Sequence, residues 1–225
     1  MEQGSVFSTG QVAVNAEELA RRLAARGRPG RRRSPDSRAE LDRPRGDHDL
    51  NPDFFDPAQS LTPAAVLVPI VTRVPEMTVL LTRRTDHLYD HAGQVSFPGG
   101  RVDPGDRNAE AAALRETEEE IGLPRRYIRL VGQLDTYVTR TGFEVTPMVG
   151  LVAPPFPIVP DSFEVAEVFE VPLDLFLDPA QRQTHSRRFE GKDRYFYVFR
   201  HGDYQIWGAT AGMLVNLAQV LTEPC

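Results

Sequence analysis

The segment from Ala109 to Ile121 constrains this chain most strongly, because it predicts a helix with an unusual concentration of acid. Alanines and large aliphatic residues recur in it at helical spacing. Gly122 is suited to cap the carboxyl end, and Pro124 prevents continuation. The stretch RETEEEIG, which ends at Gly122, places four glutamates within five residues. Because like charges one turn apart repel by about a few tenths of a kcal/mol each, the sequence predicts that a cation joins them.

Helical geometry divides the four glutamates into two groups. At about 100° per residue, Glu116, Glu119 and Glu120 occupy one face about 100° wide. Glu118 points in roughly the opposite direction, and we expect it to face solvent. Arg115 precedes Glu119 by four residues and is placed to pair with it. Three carboxylates on one side of a helix are an arrangement that a divalent cation would neutralise.

A glycine-proline segment, FPGGRVDPGD from Phe97 to Asp106, precedes the helix and predicts a loop. Gly99 and Gly100 permit a close backbone approach, so a carbonyl there could complete a metal shell. Mg²⁺ and Mn²⁺ both accept sites rich in oxygen. The glutamates alone could form a solvated helix face, and the glycines alone a simple turn. Their joint arrangement favours a metal site.

The composition excludes several classes of protein. The longest apolar run, Pro63 to Val71, is shorter than the roughly 20 residues that cross a bilayer, so we expect no membrane partner. The first residues, MEQGSVFSTG, lack a basic region followed by an apolar one, which predicts no secretory signal. Cys225 is the single cysteine, so we expect neither an intrachain disulfide nor a cysteine metal site. These features predict a cytoplasmic protein.

Charge and composition divide the chain near residue 60. Asn15 to Arg26 predicts a helix capped by Asn15, and the residues after it, rich in Arg, Pro and Gly, predict a mobile linker. We therefore interpret residues 1–60 as a helix plus a basic segment, and residues 61–225 as the main domain. Arg21 to Gly46 carries +7, and removing it from the net charge of −6 leaves −13 for the rest. The arginines are either a solvated tail or a phosphate-binding arm, but the acidic remainder argues against nucleic acid as the main partner.

Hydrophobic patterns predict an α+β fold with mixed strands. Short apolar, β-branched runs alternate with turn residues and predict strands. Helical spacing recurs in the acidic segment described above and near the carboxyl end. The predicted elements are strands at Ala64–Val71, Met77–Thr82, Ile128–Tyr137, Phe143–Val152 and Val165–Val171, a hairpin of Tyr195–Arg200 and Tyr204–Trp207, and an amphipathic helix at Thr210–Leu221.

The run GGRVDPGDRNAEAAALRETEEEIGL resembles the Nudix box, the motif of the Nudix hydrolase family, written G-x5-E-x7-R-E-U-x-E-E-x-G-U with U aliphatic. The matching residues are Arg115, Glu116, Glu119, Glu120, Gly122 and Leu123. Asp106 replaces the first glutamate of the box, and one extra residue separates it from Arg115. The metal-binding half of the motif is intact.

The preceding run, LLTRRTDHLYDHAGQVSFPGG, is similar to the signature of Nudix coenzyme A pyrophosphatases, roughly LLT-x-RS-x3-R-x3-G-x3-FPGG. EVAEVFEVPL and IWGATAGML also look like that subfamily, so the resemblance spans roughly Leu61 to Leu221. Two positions depart from the signature: Thr85 replaces its serine and Tyr89 its second arginine. The residues that match are Leu80, Leu81, Thr82, Arg84, Gly93 and Phe97 to Gly100.

The resemblance implies a Nudix fold, with a mixed β-sheet sandwiched between helices (α/β/α). It also implies metal-dependent hydrolysis of the pyrophosphate bond of coenzyme A or its derivatives, giving 3′,5′-ADP and 4′-phosphopantetheine. Glu119 and Glu120 would ligate the metal, and Glu116 would ligate it or act as base. Arg115 would orient the glutamates. A homodimer is expected from the family alone.

Residues outside the helix complete the predicted site. The carbonyl of Gly100 or Gly99 would join the metal shell, and Glu167 would supply a further ligand or the base. A solvent-facing strand position is the alternative for Glu167. The residues expected to bind substrate are Arg84, Arg101, Phe97, Gly99 and Gly100.

Two other functions stay open on the sequence. Because Tyr89 replaces an arginine of the signature, the substrate could instead be another nucleoside diphosphate derivative, namely ADP-ribose, NADH or a dinucleotide. A non-catalytic nucleotide-binding module is the second, but such modules typically lose glutamates of the box and this chain retains them. His87 and His91 could ligate a metal if helical, or lie in a loop above the site.

Overall fold

We describe the fold from a computed structural model, in which residues 15–26, 44–54, 58–87, 93–189 and 191–222 are described. None of the described helices combines the length and the apolar character that crossing a membrane requires. The helices are α1 (Ala16–Arg26), α2 (Ala109–Ile121), α3 (Leu173–Leu177) and α4 (Gly208–Thr222). The strands are β1 (Arg45–Gly46), β2 (Thr62–Val71), β3 (Thr78–Arg84), β4 (Val95–Ser96), β5 (Gly99–Arg101), β6 (Ile128–Gln133), β7 (Tyr137–Val138), β8 (Phe143–Val152), β9 (Val165–Pro172), β10 (Gln183–Phe189), β11 (Lys192–His201) and β12 (Tyr204–Trp207).

A mixed nine-stranded sheet forms the centre of the molecule. Strand β2 runs parallel to β8 along its whole length, from the Thr62–Phe143 pair to the Val71–Val152 pair. It pairs antiparallel with β3 and with β5, and β9 adds to the other edge of β3. Strands β10 to β12 form a separate antiparallel sheet. The mixed pairing confirms the α+β class.

The two faces of β2 pack against different helices. Val68 and Ile70 belong to the large core cluster that also contains residues of α1 and α4. Ala65 and Leu67 instead pack with Ala112 and its neighbours on α2. Because successive residues of a strand point to opposite faces, this alternation places helices on both sides of the sheet. The predicted α/β/α layering is confirmed.

The predicted acidic helix forms with the expected ends. The Asn108 side chain accepts a hydrogen bond from Ala111 N at 2.9 Å, which caps the amino end. Gly122 adopts a left-handed conformation (φ 64°), and its N–H donates to Glu118 O at 3.0 Å. The hairpin of β11 and β12 is also confirmed.

Several predicted elements differ from the structure. The segment at Gly99–Arg101 is a strand paired with β2 rather than a loop. The run from Ile128 to Tyr137 divides into β6 and β7, and α3 and β10 were not predicted. Helix α4 is buried on nearly all sides rather than amphipathic, because the hairpin, α3 and the large sheet surround it.

The described part of residues 1–60 packs onto the main domain. Leu19 and Leu23 of α1 are fully buried in the large core cluster. Residues 44–49, expected to be mobile, instead include β1, which pairs with β7. Asp47 follows β1 and accepts hydrogen bonds from Tyr137 Oη at 3.0 Å and Arg194 Nη2 at 2.8 Å. Residues 27–43, Tyr89, His91 and Cys225 lie outside the described residues.

Candidate active site

Glu120 is the most enclosed acid of the helix. Its residue exposure is 7%, and its Oε2 accepts a hydrogen bond from Gly99 N at 3.1 Å. Its Oε1 lies 3.9 Å from Nη1 of Arg84, at the end of β3. The glycine strand and the end of β3 therefore position this carboxylate from two directions.

Glu116 lies one turn earlier, against the next glycine. A Cβ atom at Gly100 would lie 2.6 Å from the carboxyl carbon of Glu116, a distance that real Cβ contacts do not reach. The absence of a side chain at Gly100 therefore leaves the space that the carboxylate fills. The two glycines of β5 thus serve the two inner glutamates separately.

Arg115 connects the helix to the loop before it. Its guanidinium donates to Asp106 at 2.8 and 3.1 Å, to the Arg101 carbonyl at 3.1 Å, and to Glu116 and Glu119 at 2.9 Å each. The bond to Arg115 lowers the pKa of Asp106, and these partners raise the pKa of Arg115. Asp106, which departs from the Nudix box, therefore serves here to hold Arg115.

The fourth glutamate points away from this group. Glu118 accepts from Arg125 N at 2.9 Å and from its guanidinium at 2.8 and 3.0 Å. These bonds lower the pKa of Glu118. The division of the glutamates expected from helical geometry therefore holds, although Glu118 is paired with arginine rather than simply solvated.

The donor atoms suit a hard divalent cation. Glu116, Glu119 and Glu120 offer carboxylate oxygens, and the side chain of Glu119 is 60% exposed. Within the described ranges, no group of three or more acidic or histidine side chains is gathered closely enough to enclose a cation. Arg115, bonded to both Glu116 and Glu119, supplies the positive charge between them. The oxygen donors therefore fit a metal by their type, and Arg115 occupies one oxygen of Glu116 and one of Glu119.

The register of β5 distinguishes the two candidate carbonyls. Gly100 pairs with Ala65 of β2. Two backbone hydrogen bonds flank this pair: Leu67 N to Pro98 O at 2.9 Å, and Val102 N to Pro63 O at 3.0 Å. Because hydrogen-bonded pairs recur every second residue in an antiparallel ladder, the backbone polar groups of Gly100 face β2. Those of Gly99 face the other way, where its N–H meets Glu120. This favours Gly99 over Gly100 as a carbonyl donor.

Burial changes the acidity of the inner glutamates. Removal from water raises the pKa of Glu120 to about 7, which the Gly99 N–H and Arg84 partly oppose and the charges of Glu116 and Glu164 reinforce. Burial also raises the pKa of Glu116, against the lowering effect of Arg115. A carboxyl with a pKa of about 7 is only partly ionised near neutral pH, and a bound cation would favour its charged form.

We expect the metal-free protein to lose stability as pH rises from about 4.5 to about 7. Because the folded pKa of Glu120 is raised, its stabilising contribution is present below the unfolded pKa and is lost as pH rises through the folded pKa. The effect is on the order of 3 kcal/mol. Thermal unfolding in a chelator at pH 5 and pH 8 should show a smaller decline for Glu120→Gln than for the wild type. An identical decline in both proteins would contradict the assignment.

The structure does not bring Glu167 to the glutamates of α2. Its carboxylate accepts from Tyr204 Oη at 2.6 Å and lies 3.4 Å from Arg83 Nε. The adjacent Val168 packs on the α2 side of the sheet, whereas Phe169 stacks on Tyr204 on the other side. Glu167 therefore faces away from α2, which corrects the prediction that it joins the site.

The predicted substrate-binding residues fall into separate places. Phe97 is 3% exposed and belongs to the large core cluster, so it contributes packing and not a substrate contact. Arg101 is exposed, with its guanidinium 5.6 Å from the centre of the Phe143 ring. Arg84 is half-buried beside Glu120, and its buried Nε has no hydrogen-bond partner in the described structure.

Glu164 is a candidate site residue that the sequence reasoning missed. It lies in the turn before β9, half-buried, and its charge contributes to the raised pKa of Glu120. Its carbonyl accepts from Thr85 N at 3.0 Å, and Asp161 N donates to Glu120 O at 2.8 Å. The predicted strand at Val165–Val171 already placed Glu164 just before it, but periodicity alone does not say which glutamate of the run EVAEVFEVPL comes near α2.

Comparison with known proteins identifies the family of the chain. The model of the family described as NUDIX domain matches residues 61–190. A Yersinia pestis (strain Pestoides F) protein named "Uncharacterized Nudix hydrolase NudL" is 44% identical over 156 residues, which cover 69% of this chain and 78% of the relative. A Yersinia pseudotuberculosis (serotype O:1b) protein of the same name shows the same values.

Solved structures with similar folds are more distant in sequence. A C. elegans Ap4A hydrolase in a binary complex aligns with a TM-score of 0.44 and 22% identity, over 49% of this chain and 80% of that one. A MutT/nudix family protein from Enterococcus faecalis aligns with a TM-score of 0.46 and 17% identity, over 92% of this chain and 74% of that one. The matched family region contains the strands and the helix that position the glutamates, and the chain belongs to the NUDIX domain family as a Nudix hydrolase.

Proposed function

We propose that this Nudix hydrolase cleaves the pyrophosphate bond of coenzyme A or its derivatives, giving 3′,5′-ADP and 4′-phosphopantetheine or its acyl form. The observation that carries the proposal is the setting of Glu120. Arg84 and Gly99, both from the run that resembles the coenzyme A pyrophosphatase signature, approach its two carboxylate oxygens at 3.9 and 3.1 Å. These two contacts support a single site built from the signature and the glutamate helix.

Glu116, Glu119 and Glu120 would hold Mg²⁺ or Mn²⁺, with the Gly99 carbonyl as a further oxygen donor. When bound, the cation neutralises phosphate charge and lowers the pKa of a water molecule. Arg115 holds Glu116 and Glu119 at 2.9 Å, which limits their freedom to turn away. Its role is to orient the glutamates.

Arg84 would contact the substrate phosphates. Its buried Nε has no hydrogen-bond partner among the described residues, and a buried unpaired donor is costly. A phosphate oxygen is the acceptor that guanidinium groups bind best. Arg101, which is more exposed, would attract the negatively charged phosphates from a greater distance.

Glu164 is our candidate for the base that takes the proton of the attacking water. It is the carboxylate outside α2 whose charge acts on Glu120, and backbone bonds hold its turn against the end of α2. A group of this kind must reach the water in the bound complex. Glu167, bonded to Tyr204, is on the wrong side of the sheet for this role.

We expect Glu164→Gln to lower kcat by at least about tenfold, since general-base catalysis typically contributes 100-fold or more. Glu167→Gln is the matched control, because the same substitution in the neighbouring strand leaves the site intact. Steady-state kinetics with a common substrate measures both variants. Equal activity of the two would refute the assignment to Glu164.

The substrate itself is tested with purified protein, Mg²⁺ or Mn²⁺, and a panel of coenzyme A species, ADP-ribose, NADH and dinucleotides, with products identified by mass. We expect coenzyme A or a derivative to give the highest kcat/KM, and masses of 3′,5′-ADP and the phosphopantetheine product. A higher kcat/KM for ADP-ribose would overturn the coenzyme A assignment.

The homodimer and the cytoplasmic location are further parts of the proposal.

A further inference from the structure

The turn that carries Glu164 also presents a large aromatic side chain to solvent. Phe163 is 65% exposed, although it directly precedes a residue that acts on Glu120. Single exposed apolar side chains are common on protein surfaces and need no function by themselves. Phe163 differs from these because it lies in an anchored turn beside the glutamate site.

The backbone of this turn is held in place at three points. Phe163 N donates to Asp161 Oδ1 at 2.9 Å, and the Phe163 carbonyl accepts from Thr85 Oγ1 at 2.8 Å. Asp161 N donates in turn to the carbonyl of Glu120 at 2.8 Å. The ring is therefore displayed from a fixed backbone next to the site, and exposing it costs no hydrogen bond.

Phe163 has one aromatic neighbour. His87, an exposed residue after β3, lies 5.0 Å away between ring centroids at an interplanar angle of 60°. The two rings meet in a T-shaped contact, and Phe163 stays 65% exposed, so ring surface remains for a planar partner. Two exposed carboxylates belong to the same two turns: Asp161, which accepts from Phe163 N, and Asp86, which precedes His87 in the chain. That charge disfavours a phosphate here and favours an uncharged planar group.

We propose that Phe163 is a specificity-determining residue on which the nucleobase of the substrate stacks, with His87 in a T-shaped contact with the Phe163 ring. The inference rests on the proposed function only in requiring a nucleoside diphosphate derivative. Coenzyme A, ADP-ribose and NADH all contain adenine, the flat uncharged group that such a surface binds. Stacking of this kind is sequence-tolerant and depends on ring area.

The test compares binding of AMP and of inorganic pyrophosphate to the wild type and to Phe163→Ala by calorimetry in the presence of Mg²⁺. We expect Phe163→Ala to weaken AMP binding about tenfold and to leave pyrophosphate binding unchanged. Phe163→Trp, which keeps a flat ring, should bind AMP as the wild type does. Val159→Ala is the matched control, since Val159 is 70% exposed in the same connection and should bind both ligands normally.

Three outcomes would overturn the proposal: unchanged AMP binding in Phe163→Ala, an equal loss of AMP and pyrophosphate binding, and wild-type protein that binds pyrophosphate but not AMP. The second would indicate that Phe163 only supports the turn. The coenzyme A assignment fails separately. If AMP binding depends on Phe163 and coenzyme A is not hydrolysed, the stacking surface stands and the substrate is another adenine nucleotide derivative.

Discussion

Glu120→Gln is expected to lower metal-dependent hydrolysis at least about a hundredfold, because loss of a metal ligand removes several kcal/mol of transition-state stabilisation. The substitution keeps the volume of the side chain and an oxygen that can accept the Gly99 N–H. It removes the negative charge that a cation requires. The loss should therefore come from weakened metal binding and charge neutralisation rather than from a collapsed site.

Glu118→Gln provides the control within the same helix. Its carboxylate binds Arg125 on the opposite side, so we expect activity close to that of the wild type. The measurement is kcat and KM for the best substrate of the panel as a function of Mg²⁺ concentration. Near-normal turnover in Glu120→Gln, or equal losses in the two variants, would refute the assignment of Glu120 to the metal.

Gly99→Ala is expected to cause the largest loss of stability, more than about 3 kcal/mol. A Cβ atom at this position would lie 2.4 Å from the Ala65 carbonyl oxygen and 2.5 Å from the Cα of Val66. Both atoms are backbone of β2, which cannot move because β8 pairs with its whole length. The φ of Gly99, 152°, is also one that residues with side chains rarely adopt.

The same change should remove activity from any protein that still folds, because displacing β5 moves the N–H that holds Glu120. Gly105→Ala is the matched control, since nothing lies within 4 Å of a Cβ there. Its melting temperature should equal or slightly exceed that of the wild type. Thermal and urea unfolding measure both variants. A Gly99→Ala protein that melts within a few degrees of the wild type would show that β5 relaxes more easily than this packing indicates.

Much of the glutamate helix could be predicted from the sequence because its geometry is local. The Gly122 cap and the separation of Glu118 from the other glutamates depend on residues within a few positions of one another. Hydrogen bonds in a helix connect near neighbours, so spacing along the chain determines direction in space. The β11–β12 hairpin was predictable for the same reason.

The predictions for the site were wrong where a shift of one residue along a strand reverses the direction of a side chain. Glu164 and Glu167 are both plausible in sequence, but Glu167 pairs with Arg83 and points away from α2. A register shift in β9 opposite Arg83 and Arg84 puts Val165 and Val168 on the α2 side of the sheet, with Glu167 on the other. Gly99 and Gly100 differ in the same way, and Phe97 enters the core although it adjoins the glycines. No periodicity within the segment contains this information, since it depends on the partner strand.

The sequence by itself determined that a capped helix presents three carboxylates on one face behind a glycine pair, because a helix is built from contacts between near neighbours. Only the tertiary structure decided what meets those carboxylates. Arg84, Gly99 and Glu164 are brought to Glu120 by the pairing of β2, β3, β5 and β9, whose partners lie far apart in the chain. Their register is decided by the burial of whole faces of the sheet rather than by the residues of any one strand.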